Sequence, residues 1–130
     1  MRILCSTGAV TRHPTRADYR LIADARELPC EGFELSIYPS WIEDVDAVSD
    51  GIVALGLPIG IAHAEKSVGA RLSEDDRGGV DRLELSARLA GRVGARLLVL
   101  HLWELPLGDR NLERNLDLLP AVRTWPNGPA

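Results

Sequence analysis

Apolar residues follow two alternating spacings along the chain. Short apolar runs occupy residues 2–6, 57–63 and 96–101, which is typical of strands buried in a sheet, and residues 32–37 alternate apolar and polar residues like a strand. After each run, apolar residues recur at intervals of three and four, which predicts amphipathic helices ending near residues 28, 55, 93 and 122. The pattern therefore predicts four strand–helix pairs in succession.

Residues with special backbone roles separate these segments. Ser40 followed by Glu43 is a capping box that predicts the start of the second helix near Ser40. Gly56 and Gly94 supply the left-handed residue that commonly ends a helix. We expect residues 65–79 to be a longer loop between the third strand and the third helix.

The order of elements restricts the architecture to parallel α/β folds. Strand–helix alternation requires a parallel sheet, with crossover helices packed against it. One solution is a closed (β/α)₈ barrel, which needs about 250 residues, so that four units make its first half. The other is an open, doubly wound four-stranded sheet. Residues 123–130 are expected to form an irregular tail, and they favour neither solution.

Composition is typical of a water-soluble globular domain. The 130 residues are 45% hydrophobic and 26% charged, and the mean hydropathy is −0.04. Apolar stretches such as residues 97–100 are far shorter than the roughly 20 residues of a membrane-spanning helix. Met1 leads directly into a strand-like run without a signal-peptide pattern. We therefore expect a cytoplasmic protein that does not bind membranes.

Charge and cysteine content narrow the classes of partner. The formal net charge is −4 and no cluster of Lys and Arg stands out, so we expect no nucleic-acid partner. Cys5 and Cys30 lack the spacing of a metal site. We interpret them as small buried hydrophobic residues, with a disulfide as the alternative.

Three chemically capable residues fall on otherwise apolar strands. Glu34 lies within the second strand, and His63 and His101 end the third and fourth strands. The carboxyl ends of parallel strands line the ligand crevice of α/β folds. Imidazole can ligate a metal or exchange a proton near pH 7, and a carboxylate accepts hydrogen bonds from hydroxyl groups. The alternative is structural: hydrogen-bonded histidines, and a buried Glu34 paired with a basic residue.

The loops that follow the two histidines carry further candidates. Trp103 and Glu104 follow His101, and Glu65 and Lys66 follow His63. Both pairs are candidates for a substrate wall and for additional acid or base groups. The alternative for these loop charges is a purely solvated role. Trp41, near the start of the second helix, is interpreted as a packing residue.

Three segments resemble the first half of the xylose isomerase-like barrel superfamily. They are Gly32-Phe33-Glu34-Leu35, residues 55–59 leading to Ala62-His63, and residues 87–95 leading to 98–101. The superfamily includes sugar and sugar-phosphate isomerases and epimerases, inosose dehydratases and endonuclease IV-type enzymes. The resemblance implies that residues 1–122 are a (βα)₄ half of a (β/α)₈ barrel, with parallel strands and helices outside.

The resemblance also implies a metal-assisted reaction on a sugar-like substrate. In such enzymes a divalent cation (Mn, Mg, Co or Zn) polarises a carbonyl or hydroxyl while a carboxylate moves a proton at the adjacent carbon. The main metal ligands of the sugar-handling branches come from strands five to eight. Glu34, His63, His101 and Trp103 are therefore expected to contact substrate. His63 and His101 match metal ligands of the endonuclease branch, although the acidic net charge argues against a phosphodiester substrate.

The functional expectation is the amino-terminal part of a sugar isomerase or epimerase, truncated and inactive alone. A half barrel leaves strand edges and inward side chains uncovered, which favours self-association or pairing with a complementary half. One alternative is a non-catalytic open α/β module that binds a small ligand or a protein. A metal-dependent endonuclease is the other.

Overall fold

The four predicted strands form one parallel sheet. A computed structural model describes residues 3–11, 18–74, 76–102 and 112–118. The strands are β1 (Leu4–Ser6), β2 (Gly32–Ser36), β3 (Ile59–His63) and β4 (Leu97–Val99), and they lie in the order β1-β2-β3-β4. All three neighbouring pairs are parallel. The prediction of an α/β fold with a parallel sheet is confirmed.

Helices connect the strands and follow the last one. The α-helices are α1 (Gly8–Thr11), α2 (Val45–Ala54), α3 (Val68–Glu74), α4 (Asp76–Arg92) and α5 (Leu112–Leu118). Two 3₁₀ helices, Tyr19–Glu27 and Pro39–Asp44, precede β2 and α2. None of the described helices combines the length and apolar character needed to cross a membrane. The predicted tail at 123–130 lies outside the described residues.

One face of the sheet is buried beneath the helices. Strand pairing places Cys5, Phe33, Leu35, Ala62 and Leu98 in rows on this face. Leu35 and Ala62 have no exposed surface. The helical residues buried in the same cluster include Ile22, Trp41, Ile42, Val45, Val48, Ile52, Leu89 and Ala90. The predicted packing role of Trp41 is thereby confirmed.

The other face of the sheet is open among the described residues. It carries, in strand order, Leu4, Ser6, Glu34, Ser36, Ile61, His63, Leu97 and Val99. All of these residues are half-buried or exposed. A doubly wound sheet reverses its strand order and carries helices on both faces. The described sheet keeps the order of the sequence and has helices on one face, so it is singly wound.

The first long helical segment is a 3₁₀ helix. Its N-cap is Asp18, whose side chain accepts a hydrogen bond from the Arg20 amide. Ile22 and Ala25 are buried and Tyr19 packs against the same core. This spacing of three residues matches the 3.0 residues per turn of a 3₁₀ helix.

The predicted capping box is wrong. Ser40 and Glu43 lie inside the 3₁₀ helix that begins at Pro39, and α2 begins after Asp44. The Asp44 side chain accepts a hydrogen bond of 3.1 Å from the Ala47 amide, which satisfies one of the free N–H groups at the helix start. The predicted helix ends are confirmed by backbone φ values of 66° at Gly56 and 83° at Gly94.

The predicted loop at 65–79 is also wrong, because it contains α3 and the start of α4. Glu65 lies three residues before α3, and its buried carboxylate accepts hydrogen bonds from the Ser67 amide at 2.7 Å and the Ser67 hydroxyl at 2.6 Å. Val68 and Leu72 are fully buried in a second apolar cluster. Two apolar residues four apart are too short a pattern to predict a helix from sequence.

The two cysteines are free thiols packed at the margin of the main core. Both are half-buried. A hydrogen bond with Cys30 and burial raise the pKa of the Cys5 thiol above its ordinary value, because both favour the neutral form. They were expected to be small buried hydrophobic residues; the structure leaves both half-buried and without the alternative disulfide.

Candidate functional site

Polar side chains gather at the carboxyl edge of the open face. Strand pairing sets Ser6 beside Glu34 and Ser36 beside His63. His101 follows β4 by two residues, and the β4 residue next to His63 is Val99. Parallel strands all point to the same edge, so residues distant in sequence meet there.

Glu34, His63 and His101 are brought together as predicted. Ser6 Oγ donates a hydrogen bond of 3.2 Å to Glu34 Oε1, and His63 Nε2 lies 3.6 Å from that same oxygen. The His63 and His101 rings have centroids 5.2 Å apart. The side chains of Glu34 and His63 are each 30% exposed, and His101 is exposed. A ligand at this edge can therefore reach the carboxylate and both imidazoles.

A bulge in β3 turns His63 toward this site. Phe33 pairs with Ile59 whereas the next β2 residue, Glu34, pairs with Ile61, so Gly60 is an extra residue in β3. Side chains of a regular strand alternate between faces, and a bulge resets that alternation. As a result Ile59 is buried with the helices while His63 lies on the open face. The apolar run at 57–63 predicts the strand, and Gly60 inside that run is the one sequence feature that is typical of a bulge.

A cavity of about 360 Å³ adjoins the polar edge. Its lining includes Gly8, Ser36, Tyr38, Pro39, His63 and Lys66. His63 belongs both to the cavity wall and to the contact with Glu34. The polar edge and the cavity therefore form one continuous candidate site.

Tyr38 is a fixed wall of the cavity. Its ring packs edge-on against the buried Trp41, with centroids 5.2 Å apart, and its hydroxyl lies 3.3 Å from Thr11 Oγ1. On the other side, α1 approaches β2 so closely that a Cβ at Gly8 would lie 3.0 Å from Ser36 Oγ. Both contacts fix the width of the cavity before any ligand enters.

The backbone after β4 is held by α3 and α5. A Cβ at Gly69 would collide with the carbonyl oxygen of His101. The fully buried Asn115 donates hydrogen bonds to the Leu102 carbonyl at 3.2 Å and to Ser73 Oγ at 3.0 Å. These contacts position the chain segment that carries His101.

Several site residues depart from the sequence-based expectation. Glu65 does not contribute to the site, because its carboxylate is buried against Ser67 and Arg82. Lys66, which follows it, lines the cavity. Ser6 and Ser36 were not predicted as site residues. The signal available in the sequence was the spacing of two residues between Glu34 and Ser36, which places both on one face of the sheet. Trp103 and Glu104 lie outside the described residues, so the predicted substrate contact of Trp103 stays a prediction.

The metal role of His63 and His101 also stays a prediction. Among the residues that the structure describes, no group of three or more His, Cys, Asp or Glu side chains is arranged to hold a metal ion. We assign no chemical step to a metal here.

The chain matches no protein-family model, no curated protein and no solved structure. The resemblance to xylose isomerase-like barrels remains a prediction based on its sequence motifs. The case for a function therefore depends on the geometry of the polar edge and its cavity.

Proposed function

We propose that this chain is the amino-terminal (βα)₄ part of a xylose isomerase-like barrel enzyme, a sugar isomerase or epimerase. In a (β/α)₈ barrel the strands follow one another in sequence order, the helices lie outside, and the active site lies at the carboxyl ends of the strands. The singly wound sheet supports this assignment, because its open face then corresponds to the barrel interior. The remaining strands of the barrel would cover that face.

The contact between Glu34 and His63 beside the cavity carries the proposal. Glu34 has a second carboxylate oxygen with which to accept hydrogen bonds from sugar hydroxyl groups. A neutral imidazole can take a proton from one ligand atom and return it to another, which is the acid–base work of isomerisation and epimerisation. Because the carboxylate and the imidazole are 3.6 Å apart, a single hydroxylated ligand can touch both.

In this proposal the residues have separate roles. Glu34 orients the hydroxyl groups of the substrate, and His63 exchanges a proton with the carbon or oxygen atom presented to it. His101 forms the next part of the wall. A divalent metal would polarise the substrate carbonyl in the complete enzyme, but it would need donors besides His63 and His101.

Sugar binding is the direct test. Titration with D-fructose and with myo-inositol, followed by NMR of the histidine rings, is expected to move the signals of His63 and His101. Glu34→Gln is expected to weaken binding about tenfold, because one charge-assisted hydrogen bond is lost. The matched control is Glu84→Gln, at an exposed glutamate of α4.

Two results would contradict the proposal. One is that neither D-fructose nor myo-inositol moves the histidine signals at any concentration tested. The other is that Glu84→Gln weakens binding as much as Glu34→Gln, because binding would then respond to overall charge and not to this site.

A further inference from the structure

The cavity beside His63 contains the only lysine of the sequence. Apart from three histidines, the other basic residues are arginines. Lys66 lies directly after Glu65, but the two charged side chains lie in different surroundings. Glu65 is buried and bonded to Ser67 and Arg82, whereas Lys66 is exposed and lines the cavity. Glu65 therefore does not neutralise Lys66.

The described residues of the cavity lining carry one full positive charge. They include Lys66, Ser36 and His63, and among the described residues of the lining there is no Asp or Glu. Within the part of the chain that the structure describes, Lys66 forms no salt bridge. The nearest carboxylate of the polar edge, Glu34, already contacts Ser6 and His63. An ammonium group without a counter-ion at a concave surface attracts an anion.

The size of the cavity fits a small ligand. A volume of about 360 Å³ lies at the lower end of the range for small-molecule sites. The cavity continues into the polar edge through His63, so a ligand anchored by one end at Lys66 extends toward Glu34. The two ends of the site differ in chemistry: a cation and a hydroxyl donor at one, a hydrogen-bond-accepting carboxylate at the other.

We propose that the cavity binds the oxyanion end of the ligand, a phosphate ester or a carboxylate, with Lys66 as its counter-ion and Ser36 as a hydrogen-bond donor. The nature of the rest of the ligand, a hydroxylated chain that reaches Glu34, rests on the function proposed above. The substrate class is accordingly a sugar that carries an acidic group at one end.

The single lysine provides a direct probe. Reductive methylation with ¹³C-formaldehyde labels Lys66 and the amino terminus, and it keeps the positive charge of both. Titration of the labelled protein with inorganic phosphate, acetate, glucose 6-phosphate and glucose is then followed by NMR. The oxyanions are expected to move the Lys66 signal. The phosphate and acetate arms distinguish a phosphate site from a carboxylate site.

Variants of the unlabelled protein test the residue assignment. Lys66→Gln is expected to weaken glucose 6-phosphate binding about tenfold and to leave glucose binding unchanged. Arg96→Gln is the charge-matched control, because Arg96 is exposed at the opposite, amino end of β4. Gly8→Val is a second test: its side chain would crowd Ser36 and fill the cavity, so binding of the oxyanion is expected to fall.

The outcomes separate this inference from the proposed function. The inference is overturned if no oxyanion moves the Lys66 signal, or if Arg96→Gln weakens binding as much as Lys66→Gln. If glucose still binds near Glu34 in either case, the proposed function stands without the oxyanion site. If phosphate binds through Lys66 but no sugar binds, the oxyanion site is supported and the sugar-handling function is not.

Discussion

Glu34, within β2, and Glu65, just after the neighbouring strand β3, have opposite environments. Glu65 has a side chain that is 1% exposed and is held by Ser67 and Arg82. Glu34 has a side chain that is 30% exposed and contacts Ser6 and His63 at the edge of a cavity. Buried, fully bonded carboxylates stabilise a fold, whereas half-exposed ones are available to a ligand. The same residue type is thus bonded within the protein in one place and open to a ligand in the other.

Stability measurements should separate these two roles. Glu65→Gln is expected to lower the free energy of unfolding by about 2 kcal/mol, because charge-assisted hydrogen bonds within the protein are lost. Glu34→Gln is expected to change it by less than about 1 kcal/mol, because the group is partly solvated. Urea unfolding of both variants provides the comparison. A larger loss for Glu34→Gln than for Glu65→Gln would show that Glu34 is the structural residue.

Individual residues also mark the limit of what the sequence predicts. Glu34, His63 and His101 were found because polar residues interrupt apolar runs. Glu65 was a candidate acid or base group in a loop, with a solvated role as the alternative, since nothing in its neighbours along the chain predicts burial. Its partner Arg82 lies 17 residues away, on α4. Such a pair depends on how α3 packs against α4, which is a tertiary property.

At the level of elements, the strands were predictable and the helix starts were not. Buried strands produce apolar runs in the sequence, and these runs do not depend on which side chains pack together. Helix starts depend on which side chain reaches a free N–H group, and at α2 Asp44 does so instead of Ser40. The short helix α3 was missed because only Val68 and Leu72 mark its buried side.

The placement of His101 depends on contacts between elements. Asn115 on α5 bonds the Leu102 carbonyl, so Asn115→Ala leaves a backbone acceptor without this donor. We expect a loss of about 1–3 kcal/mol in the free energy of unfolding and a shift of the His101 ring signals, with a smaller shift of the His63 signals because the two rings are 5.2 Å apart. Histidine NMR together with urea unfolding measures both effects.

Asp117→Ala is the matched control for that experiment, because Asp117 is an exposed residue of the same helix. It is expected to change neither the stability nor the His101 signals. Unmoved His101 signals in Asn115→Ala would refute the positioning role and leave Asn115 as a packing residue only.

On the scale of the whole molecule, the sheet has one face covered by helices and one face that is open among the described residues. The sequence predicted parallel strands with outer helices but left a closed barrel and a doubly wound sheet as alternatives. The strand order and the single layer of helices are consistent with part of a barrel and differ from a doubly wound sheet. No pattern within one strand reveals this order, because it depends on which strands become neighbours.

The open face is expected to drive association. Leu97 is 57% exposed on this face, on the terminal strand β4 of the sheet. We expect concentration-dependent association in sedimentation velocity, weakened about tenfold by Leu97→Glu because burying a charge at an apolar contact is unfavourable. Val53→Glu is the matched control, since Val53 is 54% exposed on α2.

A monomer at all concentrations would argue against association through the open face. An equal effect of Val53→Glu would place the contact elsewhere or make it nonspecific. Either result would weaken the half-barrel proposal while leaving the ligand-binding tests unaffected.

The extra residue Gly60 has an evolutionary consequence. It reverses the odd–even parity of β3 part-way along, so Ile59 and Ala62 serve the core while His63 serves the open face. Substitutions at position 63 are thereby uncoupled from the packing that holds the domain together. A strand organised in this way can acquire a new reactive group by a single codon change without opening a cavity in the core beneath the helices.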